Sequence, residues 1–322
     1  MKQLLRLALA ADLAALMTVV LGSWTRINGA GLTCPDWPLC RGRLLPSLTD
    51  GTLWEWMHRL LAFAVAPLVI ALIIAAWRKR DRSSFIGPTL AAIAALFLVQ
   101  VFLGAETVRH ANTPISVVLH WATAMALIAA LSAMVVFAAV AVDDEADNAS
   151  RAPSRAVLSL SKDDKLRIAA VIVVGATAVV AFVTMCVGAY VSSSGAGLAC
   201  LSIPQCAGNV VIYTPEQYVQ MVHRIAAAAT LICAASTLAL VWARPASARV
   251  RAAVGLGVGL VCIQVLLGLL NVALRLPTNL REAHAVNAAL VFLTFFVATI
   301  FAALDAAPAG ELRRLTEGGS QR

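Results

Sequence analysis

Four of the five histidines in this 322-residue chain are placed in two echoing pairs. His58-Arg59 recurs as His223-Arg224, and His120 recurs as His284 at almost the same offset. Each of the four opens an apolar run, one or two turns from its start. A lone histidine inside a membrane helix reads as a packing residue or a proton relay. Two pairs at matched depth read differently, because facing imidazoles from two helices of one bundle suit axial ligation of a haem iron. Zinc takes four ligands, or three plus water, and stays open as an alternative because each half also carries a cysteine pair. No C-x-x-C-H occurs, so a haem here is not covalently attached. His110 has no echo and reads as an exposed loop residue.

The two halves differ beside the first histidine of each pair. LWEWMHR puts Glu55 three residues before His58, on the same helix face. The matching stretch YVQMVHR has Gln220 there. A carboxylate at that position is costly to desolvate without a job or a partner. Its functional reading is a base or charge stabiliser beside a reacting ring, and the competing reading is an interfacial residue that reaches water. On the functional reading the first half is the chemical site and the second a permanent cofactor site. Arg59 and Arg224 are candidates for carboxylate contacts to haem propionates, with snorkelling to the interface as the alternative. Gln100 and Gln264 read as interhelical hydrogen bonds.

The cysteines fall into two classes. GAGLTCPDWPLC holds Cys34 and Cys40, and its echo in the second half, GAGLACLSIPQC, holds Cys200 and Cys206. Each pair is a disulfide candidate if its loop faces an oxidising compartment. The pairs read either as loop staples over the histidine sites or as redox-active thiols. The spacing is not C-x-x-C, and no basic residue lies between the cysteines to activate a thiolate, which favours the staple. Cys186, Cys233 and Cys262 lie inside apolar runs and read as small core residues.

The elements that must position these residues are membrane helices. The chain is 61% hydrophobic and 13% charged, against about 25% charged in soluble domains. Eight spans are expected near 5–23, 53–77, 86–107, 116–141, 167–190, 216–243, 252–273 and 282–304. The first reads as a retained helix rather than a cleaved signal. The net charge of +8 would suggest nucleic acid in a soluble protein. Here 17 of the 25 basic residues collect in the tails and alternate loops, so the expectation is both termini cytoplasmic and both cysteine loops outside. No nucleic-acid motif is present. Trp24, Trp37, Trp54, Trp56 and Trp121 are expected as an interfacial belt.

The echo extends to QVFLG at 100–104 and QVLLG at 264–268. Each repeat spans four helices, an even number, which makes the repeats parallel. The expected fold is therefore all-α and integral to the membrane, with eight transmembrane helices as two parallel-repeat four-helix bundles. The expected units are 1–142 (N-terminal bundle, substrate site), 143–166 (cytoplasmic linker), 167–304 (C-terminal bundle, cofactor site) and 305–322 (cytoplasmic tail).

The first cysteine loop, the ExxHR stretch from Glu55 to Arg59, and four histidines in a duplicated eight-helix chain together resemble the heme A synthase family over about residues 5–304. That family oxidises the C8 methyl of haem O to the formyl of haem A for cytochrome oxidase. The resemblance implies that His58 and His120 hold haem O as substrate and that Glu55 is the essential carboxylate. It implies that His223 and His284 ligate a haem B cofactor and that Cys34–Cys40 is a disulfide, with Cys200–Cys206 matching a pair found in some members. It further implies successive hydroxylations with water as the oxygen source and a home in the bacterial inner membrane. Expected partners are haem O, an electron acceptor of unspecified class, the enzyme supplying haem O, and a second copy of the chain. The competing readings are a bis-histidine di-haem cytochrome linked to quinone, and a thiol–disulfide protein.

Overall fold

A computed structural model describes residues 1–49, 51–148, 162–206, 208, 212–243 and 246–306. Eight α-helices follow in order: α1 (Lys2–Ile27), α2 (Thr52–Trp77), α3 (Ile86–Arg109), α4 (Pro114–Asn148), α5 (Lys162–Ser193), α6 (Pro215–Ala243), α7 (Ala248–Ala273) and α8 (Thr278–Ala306). All eight are long and apolar enough to cross a membrane. In lipid every backbone N–H and C=O must be satisfied within the chain, which selects helices. No strand occurs among the described residues, only an isolated bridge between Cys40 and Arg43. This is an all-α membrane protein.

Two helices exceed the expected spans. The polar segment read as a linker over 143–166 is helical at both ends, because α4 runs on to Asn148 and α5 starts at Lys162. In the sequence the apolar run of α4 gives way to DDEADN after Val142, so composition marks where apolar character ends rather than where the helix ends. The remainder of the linker, Arg151 and Arg155 included, Arg244, and the tail beyond residue 306 lie outside the described residues.

α4 is the most buried helix and α8 the next. α4 packs on α1, α3, α5 and α8, and α8 packs on α5, α7, α4 and α1. The other helices sit around this centre, α2 against α1 and α3, and α6 against α5 and α7. Phe63, Leu98, Phe102, Ile232 and Leu256 on the outer helices remain exposed, as lipid-facing side chains do, since hydrocarbon solvates them. Cys262 on α7 shares that outer surface. It is not the core residue its apolar context suggested, because periodicity on a uniformly apolar helix does not mark the inner face. Cys186 and Cys233 are partly buried.

Between helices, packing is reinforced by hydroxyl contacts. Thr177 and Thr237 meet at 2.8 Å, and Ser132 donates to Asp12 at 3.1 Å. Such intramembrane bonds contribute about 0.6–2 kcal/mol each.

The GAGL echo has a local cause. α1 ends when Gly29 turns left-handed at φ 72, with Gly29 N–H on the Arg26 carbonyl and Ala30 N–H on the Thr25 carbonyl. Gly195, just past α5, has φ 75. Only glycine takes this conformation without steric cost, so the glycine that stops the helix recurs with the loop. Cys34–Cys40 and Cys200–Cys206 are disulfides. In the first loop the Asp36 carboxylate accepts from Gly42 N–H at 2.7 Å and from Arg41 N–H. The Gly42 bond leads in holding its carboxyl below the usual range.

Two outcomes are expected. Substituting Gly257 by Val drives a β-carbon to within 2.9 Å of the fully buried Phe295 ring and should destabilise by about 1–3 kcal/mol. Gly259→Val on the same helix meets nothing within 4 Å and serves as the control. Thermal unfolding of both variants in detergent checks this, and equal melting would show that α7 and α8 part freely. Second, the Asp36 contribution to loop order is present above the ordinary aspartate pKa of about 3.9. It is lost only as pH falls through the lower folded value. Amide exchange at Arg41 and Gly42 should stay protected to below about pH 4, and in Asp36→Asn it should lose that pH step.

Candidate functional site

The four paired histidines are each seated on a glycine of the neighbouring helix. A β-carbon on Gly22 of α1 would lie 2.6 Å from His58, and one on Gly104 of α3 would lie 3.2 Å from His120. Gly188 of α5 stands likewise under His223 at 2.9 Å, and Gly268 of α7 under His284 at 3.3 Å. Glycine is what lets the Cε1 edge of each ring approach the adjacent backbone. His58 donates its Nδ1 hydrogen to the Thr18 carbonyl at 3.0 Å, which leaves Nε2 free to ligate a metal. His223 faces the Thr184 backbone, the counterpart of Thr18. The Nδ1 atoms of His120, His223 and His284 are buried without a hydrogen-bond partner. An orphaned buried nitrogen costs about 1–3 kcal/mol. The Gln100 and Gln264 amides reach Nε2 of His120 and His284 at 3.4 and 3.1 Å, the interhelical bonds expected of them. Asn287 holds Gln264 in place at 2.7 Å.

The rings face two cavities. The first, about 270 Å³, is bordered by His58, His120, Glu55 and Trp37. The second, about 550 Å³, is bordered by His223, His284, Ile203 and Pro204. Both are mainly apolar with a few convergent polar groups, the form of a cofactor site. The His223 and His284 ring centroids stand 6.4 Å apart with planes at 74°. Two imidazole nitrogens on opposite sides of one metal, each at roughly 2 Å, put ring centroids on the order of 6 Å apart. The spacing of the second pair is that of two imidazoles sharing one metal. Among the described residues no three His, Cys, Asp or Glu converge on one point, so the geometry does not favour zinc. His110 caps α3, exposed beside Glu106 at 3.2 Å.

Each cysteine loop lies over its cavity and is held by one arginine. Arg59 Nη1 donates to the carbonyls of Asp36 and Leu39, and Nη2 to that of Cys34 at 2.8 Å. Arg224 Nη1 donates to the carbonyls of Ser202 and Gln205, and Nη2 to that of Cys200 at 2.6 Å. Three acceptors of each correspond along the echo, Asp36 with Ser202, Leu39 with Gln205 and Cys34 with Cys200, and Arg224 also reaches the Pro204 carbonyl at 3.4 Å. Both guanidiniums thus bind loop backbone rather than snorkelling, and both also border their cavities. The sulfurs are buried, with Cys34 and Cys200 fully so, the setting of a staple.

Glu55 is 4% exposed, so it does not reach water. One oxygen accepts from Thr33 Oγ1 and from Cys34 N–H, both at 2.9 Å. The other pairs with Arg59 at 2.7 Å. Gln220 does the equivalent work in the second half, accepting from Cys200 N–H and donating to the Gly197 carbonyl at 2.9 Å. A carboxylate cannot donate, so the matching Gly31 carbonyl is taken by Asn112 at 2.9 Å. Asn112 was not anticipated, and nothing in its local sequence marks it. The glycine seats were legible in principle, since Gly22 and Gly188 keep the offset of the cysteine loops, and Gly104 and Gly268 close the QVFLG and QVLLG echoes. Trp24 stacks edge-on with Trp54, and Trp56 bonds the Leu44 carbonyl. Trp121 departs from the expected belt: it stands next to His120 and borders both cavities, because α4 is central.

Comparison with known proteins agrees with this arrangement. The COX15-CtaA family, described as cytochrome oxidase assembly protein, matches residues 6–53 and 49–296. Heme A synthase of Shewanella oneidensis is 27% identical over 89% of this chain and 92% of its own length. That of Geobacillus kaustophilus is 32% identical over 70% and 68%, and that of Bacillus licheniformis 29% over 70% and 71%. With most of its length matched and its paired cysteines bonded, the chain belongs to the COX15-CtaA family of cytochrome oxidase assembly proteins, the heme A synthases among them.

Proposed function

We propose that this protein is a heme A synthase, converting haem O to haem A in a bacterial membrane. The observation that carries the reading is the pair of histidine-faced cavities whose lid anchors differ by a single carboxylate, Glu55 against Gln220, in a chain of this family. On this reading residues 1–142 and 167–304 are duplicated bundles, both termini are cytoplasmic, and both cavities lie near the outer face. The alternating placement of basic residues supports that orientation.

Haem O, the substrate, is held by His58 and His120 in the first cavity. If His58 and His120 both hold its iron, that iron would offer no site to dioxygen, and water would supply the oxygen. Each hydroxylation of the methyl consumes one water and releases two protons and two electrons. Two of them give a geminal diol, and loss of water leaves the formyl group. Four electrons in all pass to an external acceptor. Glu55 already accepts three hydrogen bonds, so its fixed negative charge suits stabilising a cationic benzylic-type carbon better than taking up a proton. The disulfide loop and its arginine exclude bulk water while Glu55 stays fixed beside the ring. His223 and His284 hold haem B, which supplies one-electron transfer.

Glu55→Gln reproduces the anchor of the second half, keeping an acceptor for the Cys34 N–H while removing the charge. It should retain tetrapyrrole and disulfide yet lose formyl product by roughly 100-fold or more. Glu55→Ala should in addition loosen the loop, because Arg59 loses a buried partner, at about 3–5 kcal/mol. Haem A made by Glu55→Gln at the normal rate would remove the carboxylate from the mechanism. Expression in bacteria that make haem O, with extracted haems identified by mass, tests the activity itself. Haem A or its hydroxymethyl precursor is expected, and haem O left unchanged by folded protein would favour an electron-transfer cytochrome. Finally, Gly188→Val should displace His223 and abolish low-spin bis-imidazole absorption from the second cavity; a spectrum identical to wild type would show that His223 is not a ligand.

A further inference from the structure

Arg26 borders both cavities. It lies four residues after Gly22, the seat of His58, and so on the same face of α1, about 6 Å further toward the cysteine loop. Its Nη1 donates to Ser192 Oγ at 3.1 Å. Ser192 lies four residues after Gly188, the seat of His223, so the two partners occupy the same place in the two halves. One half brings a cation to the partition between the cavities and the other brings a hydroxyl. α8 adds Arg281, one turn before His284 and at the edge of the second cavity. Arg26 is within electrostatic range of both Arg281 and Glu282. Glu282 is buried, takes the Ser23 hydroxyl on one oxygen at 2.8 Å, and leaves the other without a partner. Among the described residues no carboxylate hydrogen-bonds Arg26. Two half-buried guanidiniums against one carboxylate leave an excess positive charge at the cavity edge, which favours an anion there.

A haem carries two propionate carboxylates at one edge. The Nη atoms of Arg59 and Arg224 are already bound to the loops. We propose that Arg26 is a carboxylate anchor shared by the two cavities: it binds a propionate of the tetrapyrrole in the first and lends its charge to a propionate in the second. This rests on the reading that both cavities hold tetrapyrroles. Guanidinium suits the task because its planar fork meets a carboxylate while a second edge stays free for another.

The test uses full-length protein in lipid nanodiscs, isolated with the second cavity loaded from a host that makes no haem O. It is titrated with iron protoporphyrin IX or with the dimethyl ester, followed by Soret absorption. Wild type should bind the free acid more tightly than the ester. Arg26→Gln should weaken binding of the acid by roughly tenfold or more and leave the ester unchanged, and Arg26→Lys should recover part of the preference. The bis-imidazole spectrum of the resident haem reports that each variant is folded. The midpoint potential of that haem should fall in Arg26→Gln, because a nearby cation favours the reduced state. An acid preference untouched by the substitution, or equal loss of acid and ester, would overturn the anchor. An unchanged potential would overturn its sharing. Wild type that takes up no tetrapyrrole in either cavity would overturn the proposed function together with this inference.

Discussion

Lipid gives helices no hydrophobic reason to associate, so how closely two of them approach is decided by what stands between them. Here that is an imidazole lying on a glycine. The contact occurs in α1–α2, α3–α4, α5–α6 and α7–α8. It sets the spacing of each pair, fixes each ring, and leaves no side chain between ring and backbone. The cavities exist because two such pairs face each other in each half. The large apolar residues are left to the outside, where they cost nothing in lipid.

The second constraint is on the ends of the cavities. The connection between α1 and α2 has, among the described residues, no regular structure beyond the isolated bridge, and its backbone must be satisfied. Disulfide, arginine and the residue at 55 or 220 share that task. Arginine takes carbonyls, since it has only donors, and Glu55 or Gln220 takes the cysteine N–H. A residue read as chemical is therefore structural as well. Three donors hold the Glu55 acceptor at the cavity edge.

Helix number, the apolar limits of the spans, the paired cysteines and the histidine pairs were legible because each is written as local composition or as an echo at nearly constant offset. What Arg59, Asn112 and Arg26 do was not, because their partners are carbonyls, hydroxyls or cavity edges that no side-chain pattern announces. Arg59 illustrates the difficulty: its place beside His58 says nothing of the loop carbonyls that the chain folds onto its donors. Cys262 and Trp121 were misplaced for a simpler reason. On helices that are apolar all round, sequence says that a residue is in the membrane without saying which way it points.

The substitution of one anchor for another has a consequence for how far the halves can still stand in for each other. Gln220 satisfies two loop groups, Cys200 N–H and the Gly197 carbonyl, with one side chain. Glu55 satisfies only the first kind, and the Gly31 carbonyl depends on Asn112 from the far side of the bundle. At the position of Asn112 the second half has Leu276, packed onto Gly197. A carboxylate carried into the second half would thus leave a carbonyl without a donor and place its charge beside a leucine. With the polar partner and the acidic residue in one half only, the two loops are not exchangeable residue by residue: either anchor moved alone leaves a loop group without its partner.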